Sequence, residues 1–335
     1  MPTLPPHSPD PLPITMKTWI CRNYGSSKVL VLADRSVPAL KRAEVLVKIH
    51  ATTVSSGDAR IRAFKLPRGF GMLGRLALGF TRPRQPVLGT EFSGTIAAVG
   101  HDVTGWRPGD AVIGFPGIAM GCHAEYRVMS VKRPLVAKPA NLTFIDSAAL
   151  CFGGTTALHF LRRAAIKPDE SILVIGAAGT VGSALVQLAR HLGARVTAVV
   201  GPHNIELARL LGAEAVIDYT REDFTATVKR FDIIADTVGA TTFQLCHPIL
   251  REHGRFLAVA ADLSGMLARP IGTKRSLAGS AAEKIEDVQE IARLAASGVF
   301  KPVIDQVFDF ADLPAAHDRV DSGHKRGSAV VTLLP

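Results

Sequence analysis

Residues 171–182 read Ser-Ile-Leu-Val-Ile-Gly-Ala-Ala-Gly-Thr-Val-Gly, and this stretch decides the fold. Ser171 to Ile175 is a short apolar run of strand character, and glycines follow at Gly176, Gly179 and Gly182. From Val181 the apolar residues fall at Val181, Ala184, Leu185, Leu188, Ala189 and Leu192, the spacing of one helix face, and Gly193 ends the run. Strand, glycine turn and helix in that order form the dinucleotide-binding fingerprint. The glycines let the backbone turn tightly and approach a pyrophosphate, whose charge meets the N–H groups at the helix start. A phosphate-binding P-loop is excluded, because no Gly-Lys-Ser/Thr closes the turn.

A glycine triplet alone is weak, so the continuation matters. Arg195 to Val200 is a second apolar strand, Ile205 to Leu211 a helix and Ala215 to Tyr219 a third strand. Phe231 to Val238 and Arg255 to Ala260 read as further strands, separated by a helix-like Thr242 to Leu250. This alternation predicts a parallel sheet with helices on both faces, the Rossmann arrangement.

At 335 residues the chain suits two domains. It is 47% hydrophobic and 20% charged, as for an ordinary globular protein, and no apolar run approaches the ~20 residues of a membrane helix. Cys21, Cys122, Cys151 and Cys246 are scattered without a CxxC pair. That predicts a reducing compartment, taken as the cytoplasm, and argues against disulfides and a cysteine-type zinc site. A net charge of +10 and pI near 9.7 favour anionic partners without choosing among them.

Residues 1–15 are proline-rich and aperiodic, and are expected to form a disordered extension, with Met16 a possible initiator. From there to about Leu150 short strands alternate with glycine turns: Val45 to Ile49, Phe92 to Val99, Ala111 to Phe115 and Ala124 to Met129. A compact, partly closed β domain is expected. Between Asp58 and Val87 lies a segment rich in Phe64, Phe70, Met72, Leu73, Leu76, Leu78 and Phe80, interleaved with Arg68, Arg75, Arg82 and Arg84. Its glycines and prolines predict a long functional loop rather than one helix. The reading preferred is an apolar lid over a substrate pocket; a surface excursion and a membrane or partner patch compete with it. Farther on, Ile285, Val288, Ile291, Ala292 and Ala295 mark a helix, and Val303 to Phe308 and Ala329 to Leu333 are strands returning to the first domain.

Several segments together resemble one family. They include Ala51-Thr-Thr-Val-Ser-Ser-Gly-Asp58, Gly89-Thr-Glu-Phe-Ser-Gly94, Arg107-Pro-Gly-Asp110, Ala148 to Ala157, Gly176 to Gly182, Leu211 to Tyr219 and Ser322-Gly-His324. The sequence is similar to the zinc-independent quinone oxidoreductase and enone reductase branch of the medium-chain dehydrogenase/reductase superfamily. The resemblance implies an α/β fold in which a GroES-like β domain (16–150, completed by 286–335) joins a Rossmann doubly wound parallel sheet (151–285). It also implies a homodimer.

The family's zinc alcohol dehydrogenases carry a cysteine ligand where this chain has Ser55 and a histidine ligand where it has Thr90. Neither hydroxyl suits zinc, and Cys151 alone does not hold it, so no metal is expected. The pair Cys122-His123 is read as a coil thiol beside a surface imidazole. Without a Lewis acid, hydride transfer favours acceptors that are already electrophilic, namely quinones and α,β-unsaturated carbonyls. Ser55, at the family's asparagine position, and Arg60, where relatives often have tyrosine, are the candidate donors to cofactor or substrate.

By family position Thr156 reaches the nicotinamide ribose, and Gly176, Ala178, Gly179, Thr180 and Val181 face the pyrophosphate. Val238 and Ala260 border the nicotinamide half. No acid follows the second strand at Val200-Gly-Pro-His-Asn204, which favours NADPH over NADH. The resemblance implies that Tyr219 flanks the 2′-phosphate, with Gly201 beside it and His203 and Asn204 standing where relatives carry arginine and lysine. Two other functions compete: a non-catalytic binder of NADPH or nucleic acid, and an enoyl-thioester reductase. No aromatic-interleaved basic run supports nucleic acid, which is not expected as a partner.

Overall fold

The computed structural model describes residues 12–66 and 69–333. Most of the expected N-terminal extension, and Arg68, lie outside them. A hairpin-like pair comes first, β1 (Thr15–Cys21) antiparallel to β2 (Leu30–Ser36). The main sheet of the first domain is built on β3 (Glu44–Val54), eleven residues long. It pairs antiparallel with β4 (Phe92–Val99) and with β6 (Tyr126–Ser130), while β5 (Ala111–Gly114) joins β4 to β7 (Leu135–Ala137).

The stretch from Asp58 to Val87 departs from the expected loop. It holds two helices, α1 (Ser56–Ala63) and α2 (Gly71–Leu78), separated by a break that begins at Phe64. Phe64 ends α1 in the left-handed conformation at φ 51°, so the glycines and prolines interrupt one potential helix rather than abolish helicity. After α3 (Phe144–Ala148), α4 (Cys151–Ala164) carries the chain into the second domain.

There six strands run parallel: β8 (Ser171–Ile175), β9 (Arg195–Val200), β10 (Ala215–Asp218), β11 (Phe231–Asp236), β12 (Leu250–Ala258) and β13 (Arg275–Ala278). Their spatial order is β10-β9-β8-β11-β12-β13, so the chain reverses direction between β8 and β11. Ligands bind such sheets at that reversal, beyond the carboxyl ends of the strands. Ile172, Leu173 and Val174 are each fully buried, because helices cover both faces. Each such side chain contributes roughly 1.5–3 kcal/mol of burial. The helices are α5 (Thr180–His191), α6 (Ile205–Leu210), α7 (Phe243–Cys246), α8 (Leu263–Met266) and α9 (Ile285–Ala296). Helix α9 packs on α4, with Val288 and Ile291 in the same core as Leu158 and Leu185.

The chain then returns. Strand β14 (Ile304–Asp309) pairs parallel with β15 (Ser328–Thr332), which pairs antiparallel with β3, and α10 (Leu313–Asp321) lies between them. A single parallel bridge, Gly179 to Gly327, ties the glycine turn of the second domain to this returning segment.

Candidate active site

The glycines of the turn after β8 do three different things. Gly176 sits at φ 77°, and a Cβ there would meet Val238 Cγ1 at 2.6 Å. A Cβ on Gly182 would lie 2.1 Å from the Gly176 carbonyl oxygen, so only glycine lets α5 pack this close to the strand end. At Gly179 a Cβ would meet only the Gly176 oxygen, at 3.5 Å, which leaves space on its outer side. Beyond it the first N–H groups of α5 open towards the cleft, the requirement for holding a pyrophosphate.

A cation stands at this helix start. Lys325 Nζ donates to Thr180 Oγ1 at 2.6 Å and to the Gly327 carbonyl, while Thr180 Oγ1 donates to the same carbonyl at 2.6 Å. Burial lowers the Lys325 ammonium to about 8, against the attraction of Asp305 and Glu91. Nothing local in the sequence marks Lys325, although it lies only two residues before Gly327. Asp236 was missed as well: its carboxylate accepts the N–H groups of Val238, Gly239 and Thr241 at 2.8–3.0 Å and so shapes the turn carrying Val238.

Two adjoining cavities occupy the cleft, of about 420 and 610 Å³. Arg60, Lys65 and Val238 line both. The smaller also reaches Phe152, Gly179, Thr180, Val181 and Lys325, and the larger reaches Ala260 and Phe243. Of the residues singled out from the sequence, Arg60, Gly179, Thr180, Val181, Val238 and Ala260 therefore meet in one place. Ala178 lies behind the turn, its carbonyl accepting Gly327 N–H at 2.8 Å. Thr156 sits on α4, half-buried, with its hydroxyl donating to Phe152 O at 2.6 Å, and it lines neither cavity.

Ser55 is placed differently from Arg60. It is buried at the N-terminus of α1, where its hydroxyl donates to Asp58 Oδ2 at 2.6 Å and accepts the Asp58 N–H at 3.1 Å. With Ser55 N–H also donating to that carboxylate, the pair closes a capping box, and the hydroxyl proton is held away from the cleft. The lid expectation also changes. Ala59, Arg60, Lys65 and Leu66 border the cavities, whereas Met72, Leu73, Leu76 and Phe80 face solvent.

Beyond the glycine turn, Gly201 and Tyr219 lie just past the ends of β9 and β10; a Cβ on Gly201 would lie 3.1 Å from the Tyr219 hydroxyl. His203 is exposed beside them and Asn204 half-buried. Arg221, 83% exposed at its side chain and 3.8 Å from Asp218, adds a cation that no motif in the sequence marks.

The residues at the family's metal positions are hydroxyls in a protein interior. Thr90 is buried with its Oγ1 unpartnered, and Cys151 is buried with its thiol pushed well above the ordinary range by desolvation. Among the described residues, no three His, Cys, Asp or Glu side chains are grouped to hold a metal. Cys122 and His123 are not the expected coil and surface pair, because both are fully buried. His123 bonds the Thr53 carbonyl at 3.0 Å through Nε2 and packs edge-on against His317. Desolvation lowers its pKa, so its ring is a neutral core group.

Residues 41–140 match the alcohol dehydrogenase GroES-like domain, and residues 211–331 match a domain described as zinc-binding dehydrogenase. The 2-methylene-furan-3-one reductase of Solanum lycopersicum is 32% identical across 97% of this chain and 81% of its own length. The chain belongs to the medium-chain dehydrogenase/reductase superfamily, in its zinc-independent quinone and enone reductase branch. A second member of this branch, the chloroplastic NADPH-dependent alkenal/one oxidoreductase of Arabidopsis thaliana, is 29% identical over 97% of this chain and 81% of its own. The quinone oxidoreductase structure from Coxiella burnetii superposes with a TM-score of 0.82 at 27% identity, covering 96% of this chain and all of that one. The word zinc in that description names the family's domain; at the two positions where the resemblance places metal ligands this chain has the hydroxyls of Ser55 and Thr90.

Proposed function

We propose that this chain is an NADPH-dependent, zinc-independent reductase that delivers hydride to a quinone or to the activated double bond of an enone or enal. The observation that carries this reading is one cleft with two unlike walls. The glycine turn, the start of α5 and Lys325 form one, and Arg60, Lys65 and Leu66 form the other. The names of the tomato and Arabidopsis relatives describe acceptors of this electrophilic kind.

Bound NADPH supplies the hydride. The protein's part is positioning and charge. The start of α5 and Lys325 would hold the pyrophosphate, and the Asp236-anchored turn carrying Val238 would border the nicotinamide half. Arg60 donates to the acceptor oxygen, where negative charge grows as the carbon is reduced. Ser55 acts as a positioning residue, fixing the helix start that carries Arg60 one turn later. No tyrosine lines either cavity, so the enoyl-thioester reading has no donor of its own. The free thiols accord with the cytoplasmic setting we propose, as a homodimer, to be checked by sedimentation. Among the described residues, no helix is long and apolar enough to cross a membrane.

The test is turnover of NADPH with a panel of quinones, enals and enones, before and after prolonged chelation. Arg60→Gln should lower kcat about a hundredfold with NADPH affinity unchanged. Activity lost on chelation and restored by zinc, or Arg60→Gln at full rate, would overturn the assignment.

A further inference from the structure

Helix α2 is built inside out. Along it and in the turn beyond, Met72, Leu73, Leu76 and Phe80 face solvent, exposed by 81, 60, 52 and 63%. The side turned to the protein carries Gly74, against Leu66 and Phe64, and Arg75. The Arg75 guanidinium lies 3.9 Å from the centre of the Phe64 ring and donates to the Phe80 carbonyl. A helix that served only its own domain would bury the leucines and solvate the arginine.

Helix α8, from the other domain, shows the same character. Met266 and Leu267 are exposed by 42 and 71%, and the two segments touch where the Gly69 backbone meets the Leu263 side chain. Both flank the cleft mouth, since Leu66 and Ser264 line the larger cavity. Residues 59–90 contain seven cations (Arg60, Arg62, Lys65, Arg68, Arg75, Arg82, Arg84) and no acid; Arg62 is buried against Asp321 and takes no part in the surface charge. Residues 263–282 contain Arg269, Lys274 and Arg275 and no acid; of these Lys274 is buried, its ammonium donating to the His247 carbonyl. Arg82, Arg84 and Arg269 are exposed.

We propose that α2 and α8 together dock this chain on an anionic phospholipid bilayer, with the cleft mouth facing the lipid. Apolar tips enter the boundary between headgroup and acyl chain, and the surrounding cations meet lipid phosphates. A lipophilic acceptor can then pass from the bilayer to Arg60, Lys65 and Leu66 without crossing water. A second copy of the chain is a poor occupant of this face, because an isologous contact would set the same cations against each other. Docking requires no turnover, so it stands or falls apart from the reductase assignment.

The experiment is sedimentation of the full chain with phosphatidylcholine vesicles, with and without phosphatidylglycerol. Binding is expected only with the anionic lipid and should fall with added salt. Replacing Met72, Leu73, Leu76 and Phe80 together by serine should weaken it by about tenfold or more. Turnover with a small water-soluble enal should stay unchanged. If that variant does not fold, Arg82→Glu with Arg84→Glu, both on the exposed surface, should show the same loss on anionic vesicles. The parent remaining in the supernatant with anionic vesicles at low salt would overturn the proposal. So would a serine variant that binds like the parent, or one that changes oligomeric state while the parent ignores lipid.

Discussion

The ammonium of Lys325 lies 2.6 Å from the hydroxyl oxygen of Thr180, across 145 residues of sequence. The contact joins the returning C-terminal segment to the first residue of α5, the helix whose first N–H groups open on the cleft. It therefore adds a full charge to a helix start that already favours anions.

That charge is titratable in a useful range. Burial lowers the ammonium to about 8, so the cation is present below that pH and lost as pH rises through it. NADPH affinity should accordingly fall as pH passes from about 7 to about 9. Lys325→Met should weaken binding roughly tenfold at neutral pH and remove the step. Fluorescence titration of NADPH across this range decides the matter; a variant that kept the step would locate it elsewhere.

Glu91 makes the opposite kind of prediction, about folding. Its carboxylate is fully buried between the domains, where it accepts Thr53 Oγ1–H and the Phe152 N–H, each at 2.7 Å. Burial raises its pKa from 4.5 to about 7, and the hydrogen bonds from Thr53 and Phe152 only partly oppose that rise. Between those values the folded chain keeps a proton that the unfolded chain gives up. Stability from this group is thus greatest at low pH and declines as pH rises through the window, by at most ~3 kcal/mol. Glu91→Gln should flatten that part of the profile. Urea unfolding of parent and variant at about pH 5 and about pH 8 measures it; equal slopes for the two would refute the assignment.

The sequence was most legible where one periodicity ruled a whole element. Ser171–Ile175, Arg195–Val200 and Phe92–Val99 were bounded to the residue, because apolar runs there end at glycine or charge. Helix α4 went unread, since Gly153-Gly154-Thr155-Thr156 has poor helix propensity. Tertiary packing explains it: a Cβ on Gly153 would meet the Thr180 carbonyl oxygen at 2.6 Å, so the glycine admits α5. The run Thr242–Leu250, read as one helix, gives only α7 and a single 3₁₀ turn through Pro248 before β12 begins at Leu250. Proline supplies no N–H to continue a helix. In the site, the glycine turn and Arg60 were visible because spacing and resemblance pointed to them. Lys325 was not, because nothing local distinguishes it from a surface lysine; only the return of the C-terminal segment brings it to Thr180.

The cofactor preference can be inverted at one position. Gly201 immediately follows β9, where an NAD-specific domain would place an acid to hold the ribose hydroxyls. Here a Cβ would lie 3.1 Å from the Tyr219 hydroxyl, the far end of a side chain that is 59% exposed and free to yield. Gly201→Asp should therefore fold, and its carboxylate would repel a 2′-phosphate while accepting hydrogen bonds from an unphosphorylated ribose. The ratio of NADPH to NADH affinity should drop about a hundredfold, an amount that one close charge pair at partial exposure can supply. Arg221 provides the complementary measurement: its exposed guanidinium can serve the 2′-phosphate and nothing else on NADH, so Arg221→Gln should weaken NADPH alone. Fluorescence titration of both cofactors against parent and variants separates these contributions. Equal affinity of the parent for NADPH and NADH would remove the basis for both substitutions.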